Sequence, residues 1–126
     1  MREVGTNLWV SSLEEAHEWA AAVDCVINCL DEYRPTGKTN HAWTVKDLNR
    51  IVEAASKTKG DVLVHCQSGK SRSPCAAAAI LLDRGEAETP QEAMKKTGVE
   101  GRRMNSHSIK GLKEWWEQRK QHPLFR

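Results

Sequence analysis

A histidine and a cysteine close an apolar run, five small or polar residues follow, and an arginine and a serine complete the segment: His65-Cys66-Gln67-Ser68-Gly69-Lys70-Ser71-Arg72-Ser73. No other part of this chain is as well equipped for chemistry. Val62-Leu63-Val64 ahead of it reads as a strand, and Ser73-Pro74 reads as the cap and first residue of a helix running through Cys75, the alanines and Leu82. A turn between a strand and a helix N-terminus gathers backbone N–H donors and the positive end of the helix dipole at one point, which suits a phosphate dianion. The same field favours the thiolate of Cys66 over its thiol and makes it a nucleophile. Arg72 adds a planar fork that can grip two phosphoryl oxygens, a geometry lysine lacks. The backbone N–H groups of Gln67, Ser68, Gly69, Lys70, Ser71 and Arg72 would hold the remaining oxygens as charge spreads in a loose transition state. Gly69 supplies the backbone freedom such a turn needs.

Alternating strands and helices must carry this loop. Asn7 to Val10 reads as a short strand, and Ser12 with Glu15 has capping-box spacing for a helix to about Ala22. Cys25 to Leu30 is a nearly continuous apolar run, as a buried parallel strand would be. A polar loop from Asp31 to Trp43 follows, then a helix from about Thr44 with Val45, Leu48, Ile51, Val52 and Ala55 at helical spacing. Gly60 precedes the Val62 strand, Gly85 stops the alanine-rich helix, and Thr89-Pro90 opens a further one that Gly98 ends. A last helix runs from about Ser106 to Gln121, with Ile109, Leu112, Trp115 and Trp116 near its inner face. The expected fold is α/β: residues 1–126 as one compact domain, with a central, mostly parallel sheet flanked by helices and a phosphate-binding loop between strand and helix.

The segment from His65 to Ser73 matches the H-C-x-x-G-x-x-R-S/T signature, and here the chain resembles the cysteine-based protein tyrosine phosphatases, most closely a small, atypical dual-specificity phosphatase. Asn7 to Ser12 is similar to the family's opening strand, Asp24 to Leu30 to its second core strand, and Arg102 through Leu112 and Trp115 to its closing segment. Residues 31–43 are the stretch the resemblance does not cover. It implies hydrolysis of phosphotyrosine and phosphoserine or phosphothreonine in proteins through a phosphocysteine on Cys66, with no metal and no cofactor. It further implies that the Ser73 hydroxyl assists departure of the thiolate and that His65 orders the loop. The family's general acid is an aspartate on a loop ahead of the cysteine. Asp31, 35 positions before Cys66, follows the Cys25 strand and fits that place; a purely structural strand-end role is the other reading. Asp47 falls inside the expected helix.

Gly69-Lys70-Ser71 is not a nucleotide-binding P-loop, because Val64 stands where that motif needs its first glycine. Lys70 also occurs in relatives acting on phosphoinositides, although Gln67 replaces a second basic residue; lipid phosphate and RNA 5′-phosphate are the alternative substrates. A catalytically weak phosphate-binding module is the alternative from another class. The single tyrosine, Tyr33, lies in the loop that would overhang the site, where it could supply one wall, and the short chain predicts a shallow, open pocket. A net charge of +2 gives no basis for nucleic-acid binding, and no apolar run reaches the roughly 20 residues of a membrane span. The opening residues lack a signal-peptide core, so a cytoplasmic location with four reduced cysteines is expected. Their spacing fits no zinc pattern. Cys25, Cys29 and Cys75 read as buried core residues. A reactive Cys66 would be oxidisable, with Cys29 or Cys25 to resolve it as a disulfide. Arg119 and Lys120 read as a solvated face.

Overall fold

The computed structural model describes residues 1–29, 44–66, 72–98 and 106–121, with backbone alone for 106–108. Its strands are β1 (Arg2–Gly5), β2 (Leu8–Ser11), β3 (Cys25–Asn28) and β4 (Val62–His65). Its helices are α1 (Leu13–Trp19), prolonged by a 3₁₀ turn at Ala20–Ala22, α2 (Val45–Ser56), α3 (Arg72–Arg84), α4 (Pro90–Lys96) and α5 (Ser106–Gln121). The strands form a four-stranded sheet in the order β1-β2-β4-β3, antiparallel at β1 and parallel elsewhere.

Right-handed crossovers explain the layering. The path from β2 to β3 passes over β4 in one direction, and the path from β3 back to β4 runs the opposite way, so α1 and α2 cover opposite faces. On the α2 face, Leu8, Val10, Ile27, Val62 and Val64 pack into one core with α3 and with Leu112 and Trp115 of α5. Each such side chain contributes roughly 1.5–3 kcal/mol by leaving water. β4 is buried along its whole length, as a central parallel strand should be. β3 is the outer parallel strand among the described residues, and Val26, on the α1 face, is 41% exposed. The burial expected of the Cys25–Leu30 run is therefore met on one face only, because α1 is short and does not reach over β3; Leu30 lies outside the described residues.

Local sequence sets most boundaries. The Ser12–Glu15 capping box starts α1, and Thr44 with Asp47 forms a second one at α2. Asp47 is thus engaged by the Thr44 N–H and by Arg50. Helix α3 is buried from Ser73 to Leu82, between the sheet and the other helices; its alanines allow the close approach. It ends in a Schellman motif, with Gly85 at φ +74°, its N–H on Leu82 O and the Glu86 N–H on Leu81 O. Gly98, at φ +76°, ends the turn after α4. The expectation of an ordinary solvated face at Arg119 is corrected: Arg119 pairs with Asp83 of α3 and lies 5.1 Å over the Trp115 ring, which binds it into the helix layer. Strand β1 lies ahead of the first strand that the sequence pattern marks. It is joined to β2 through Thr6-Asn7, where Asn7 takes φ 53°, and the Arg2 side chain reaches Thr97 O.

Candidate active site

The register of the sheet builds the site. Ser11, His65 and Asn28 are aligned across β2, β4 and β3, so the segments leaving β3 and β4 emerge together at the C-terminal edge of the strands. This is the edge at which open α/β sheets bind ligands. Side chains alternate along β4, so Val64 and Cys66 face α3 while His65 faces α1.

Cys66 is buried against the first turn of α3. Its Sγ lies 3.2 Å from the Oγ of Ser73, a residue with no exposed surface. The sequence suggests Ser73 as the helix cap, but α3 begins one residue earlier, at Arg72. Ser73 is the second helical residue, and its hydroxyl is turned to the sulfur. Arg72 Nη1 donates to Cys29 O at 3.4 Å, and the Cys29 N–H donates to His65 O at 2.7 Å. The main chain of a single residue of the neighbouring strand segment thereby holds both His65, just ahead of Cys66, and Arg72, at the start of α3. That contribution of Cys29 was missed in the sequence because it is made by main-chain atoms; the parallel pairing of the two strands was the one available signal.

His65 is buried, and its Nδ1 has no hydrogen-bond partner among the described residues. Burial pushes its pKa below the ordinary imidazole value; a backbone contact at Cys66 opposes this in part, and the like charge of His17 on α1 adds to the lowering. His65 therefore holds a proton less readily than an ordinary imidazole, and it lies on the opposite face of the strand from Cys66.

Cys66, Arg72, Ser73 and His65 thus come together at one strand–helix junction. Gln67, Ser68, Gly69, Lys70 and Ser71 lie outside the described residues, as do Asp31 and Tyr33. Among the described residues no group of three or more His, Cys, Asp or Glu side chains could hold a metal ion. None of the described helices is long and apolar enough to cross a membrane. A hollow of about 410 Å³ bordered by Asn7, Gly60 and Arg84 lies at the other end of the strands, remote from Cys66. Chemically, the junction presents a buried thiol, a hydroxyl in contact with it and a guanidinium hydrogen-bonded to the carbonyl that follows β3.

The fold recurs in solved structures. PTPMT1 in complex with PI(5)P shares 18% identity, with 93% of this chain and 94% of that one covered at a TM-score of 0.73. Human DUSP28 shares 19% identity over 96% and 99% of the two chains, at a TM-score of 0.76. A leucine-rich repeat and phosphatase domain containing protein from Entamoeba histolytica shares 12% identity over 94% and 92%, also at 0.76. No curated protein matches the chain by sequence. The family model for the dual specificity phosphatase catalytic domain matches residues 26–118, a span running from within β3 through the Cys66 junction into α5. The chain belongs to the dual specificity phosphatase catalytic domain family.

Proposed function

We propose that residues 1–126 act as one catalytic domain that hydrolyses phosphate monoesters, namely phosphotyrosine and phosphoserine or phosphothreonine of protein substrates. Cys66 attacks phosphorus in line, the substrate oxygen leaves with a proton, and a phosphocysteine forms that water then hydrolyses. Arg72 and the N–H groups of residues 67–72 hold the phosphoryl oxygens through both steps. Ser73 steadies the sulfur as it regains its charge, His65 orders the loop, and Asp31 donates the proton to the leaving oxygen. The contact of Cys66 Sγ with Ser73 Oγ at 3.2 Å, beside Arg72, is the observation that carries this reading. The domain works in the cytoplasm, where thiols stay reduced.

Hydrolysis of a simple aryl phosphate against pH tests it, with wild type, Cys66→Ser and Asp31→Asn. Turnover is lost with Cys66→Ser, and Asp31→Asn removes the basic limb of the profile. A profile indifferent to Asp31 moves the acid elsewhere; absence of wild-type turnover at every pH leaves a phosphate-binding module. A second reading, a phosphoinositide substrate, is supported by Lys70 in the loop and by the PI(5)P complex of a structural neighbour. Rates on PI(5)P and on phosphopeptides, compared directly, decide between them.

A further inference from the structure

Charge sets one face of the molecule apart. Residues 3–33 contain none of the chain's 19 lysines and arginines, and the described part of that stretch holds Glu3, Glu14, Glu15, Glu18 and Asp24. The fold gathers these acids on the α1 side of the sheet. Glu14 and Glu18 are exposed on α1, and exposed Asp24 leads into β3. Glu3 stands in register with Trp9, Leu63 and Val26 across the four strands, on the face that α1 partly covers. Glu15 is already engaged, by the Ser12 cap and by the Met1 ammonium. The neighbouring cations point elsewhere: Arg2 reaches Thr97, and Lys59 borders the hollow beside Ala55 and Arg84.

Apolar surface lies among these acids. Trp19 and Val26, 43% and 41% exposed, are the two large apolar side chains left open among the described residues. They are not isolated. The chain between them passes through Ala20, Ala21 and Ala22, all exposed in the 3₁₀ turn, and through half-buried Val23. Single exposed apolar residues are ordinary, whereas an unbroken run of them is a liability unless something uses it. The run also lies away from the site. At 1.5 Å per residue, the seven residues of α1 carry the chain roughly 10 Å back from the sheet edge that holds Cys66.

We propose that this face docks a segment of a partner protein that carries apolar anchors flanked by lysine and arginine. Trp19 and the alanine turn receive the anchors, tryptophan being among the residues that most often carry interface binding energy. Glu3, Glu14, Glu18 and Asp24 ring that surface with negative charge, which steers a basic segment in and rejects an acidic one. The sign of the charge also disfavours other occupants. An anionic membrane or a nucleic acid is repelled. A second copy related by a two-fold axis would set the same acids against each other. The surface uses no residue of the Cys66 junction, so a docked partner leaves that junction open, and the proposal does not depend on the catalytic reading.

The test is fluorescence anisotropy of a labelled synthetic helix of leucine and lysine, apolar along one face, titrated with the full chain at low and high salt. The same helix with glutamate in place of lysine is the reference. Expected is saturable binding of the lysine helix alone, weakened about tenfold or more by Trp19→Ala. Glu14→Gln combined with Glu18→Gln weakens it about three- to tenfold at low salt, a loss that shrinks in about 0.5 M salt. Glu114→Gln combined with Glu117→Gln removes the same charge from α5 and leaves the affinity unchanged. Equal losses in the two glutamate pairs, or indifference to Trp19→Ala, overturn the proposal, because attraction would then be spread over the whole surface. Absence of saturable binding overturns it too. So does tighter binding to phosphatidylserine vesicles, or self-association that Trp19→Ala abolishes, which would assign the face to a membrane or to a second copy.

Discussion

Replacing Ser73 by alanine separates the two chemical steps. The hydroxyl lies 3.2 Å from Cys66 Sγ and has no exposure to water, so solvent cannot stand in for it. A hydrogen bond to a charged group contributes roughly 1.5–3 kcal/mol. In the first step the thiolate gives up charge as it attacks, so losing the bond does not raise that barrier. In the second step charge returns to sulfur, and the lost bond appears in full in the transition state. At about 1.36 kcal/mol per factor of ten, breakdown of the phosphocysteine slows by about 10- to 150-fold. Rapid mixing with an aryl phosphate reads this directly: about one equivalent of aryl alcohol is released in a burst, followed by a slow steady state. A mutant that slows formation and breakdown together, with no burst, refutes the assignment of the hydroxyl to the leaving thiolate.

Three further outcomes follow from the packing. In Gly60→Ala, the new Cβ would sit 1.9 Å from Asp24 Oδ2, which accepts the Asp61 N–H at 2.7 Å, so the Asp24 carboxylate must move and that bond is strained or lost. A loss of about 1–3 kcal/mol in urea unfolding is expected, and an unchanged midpoint would mean the contact relaxes without cost. Trp115→Phe removes the 2.8 Å bond from Nε1 to Asn49 Oδ1 that joins α5 to α2, and a loss of about 1–3 kcal/mol is expected; additivity with Asn49→Ala in a double-mutant cycle would deny the coupling. His65 has its folded-state pKa below the ordinary 6.5, so unfolding takes up a proton. Its contribution to stability is fully present above 6.5 and is lost as pH falls through that value toward the folded pKa. Unfolding followed between neutral and mildly acidic pH should show a steeper decline in wild type than in His65→Asn, and parallel curves would contradict it.

What could be read from the sequence was what neighbouring residues decide. The Ser12–Glu15 box, the helix start near Thr44, the Thr89-Pro90 start and the glycine stops at 85 and 98 are local chemistry and stand where the pattern put them. The cysteine, arginine and serine of the site come from one short segment, and a strand–turn–helix brings such a segment together by itself. What escaped was decided at a distance. Strand β1 has four residues and little pattern; it exists through pairing with β2 and the reach of Arg2 to Thr97. Ser73 looked like a cap because caps and sulfur contacts use the same hydroxyl. Val26 looked buried because an apolar run does not say how far the covering helix extends, and Arg119 looked solvated because Asp83 is far away in sequence.

The anchorage at residue 29 has a consequence for how this site would be found by mutation. His65 and Arg72 are both fastened to the main chain of one residue, through the N–H and the C=O of Cys29, and every residue except proline carries both groups. An alanine scan would therefore pass over the position, recording only a small change in packing, and a family alignment could drift freely there while the fastening persisted. Proline alone lacks the N–H, so Cys29→Pro, or an ester in place of that amide, is the change that exposes it. Machinery held by the main chain in this way is robust to point substitution and invisible to the usual search for important side chains.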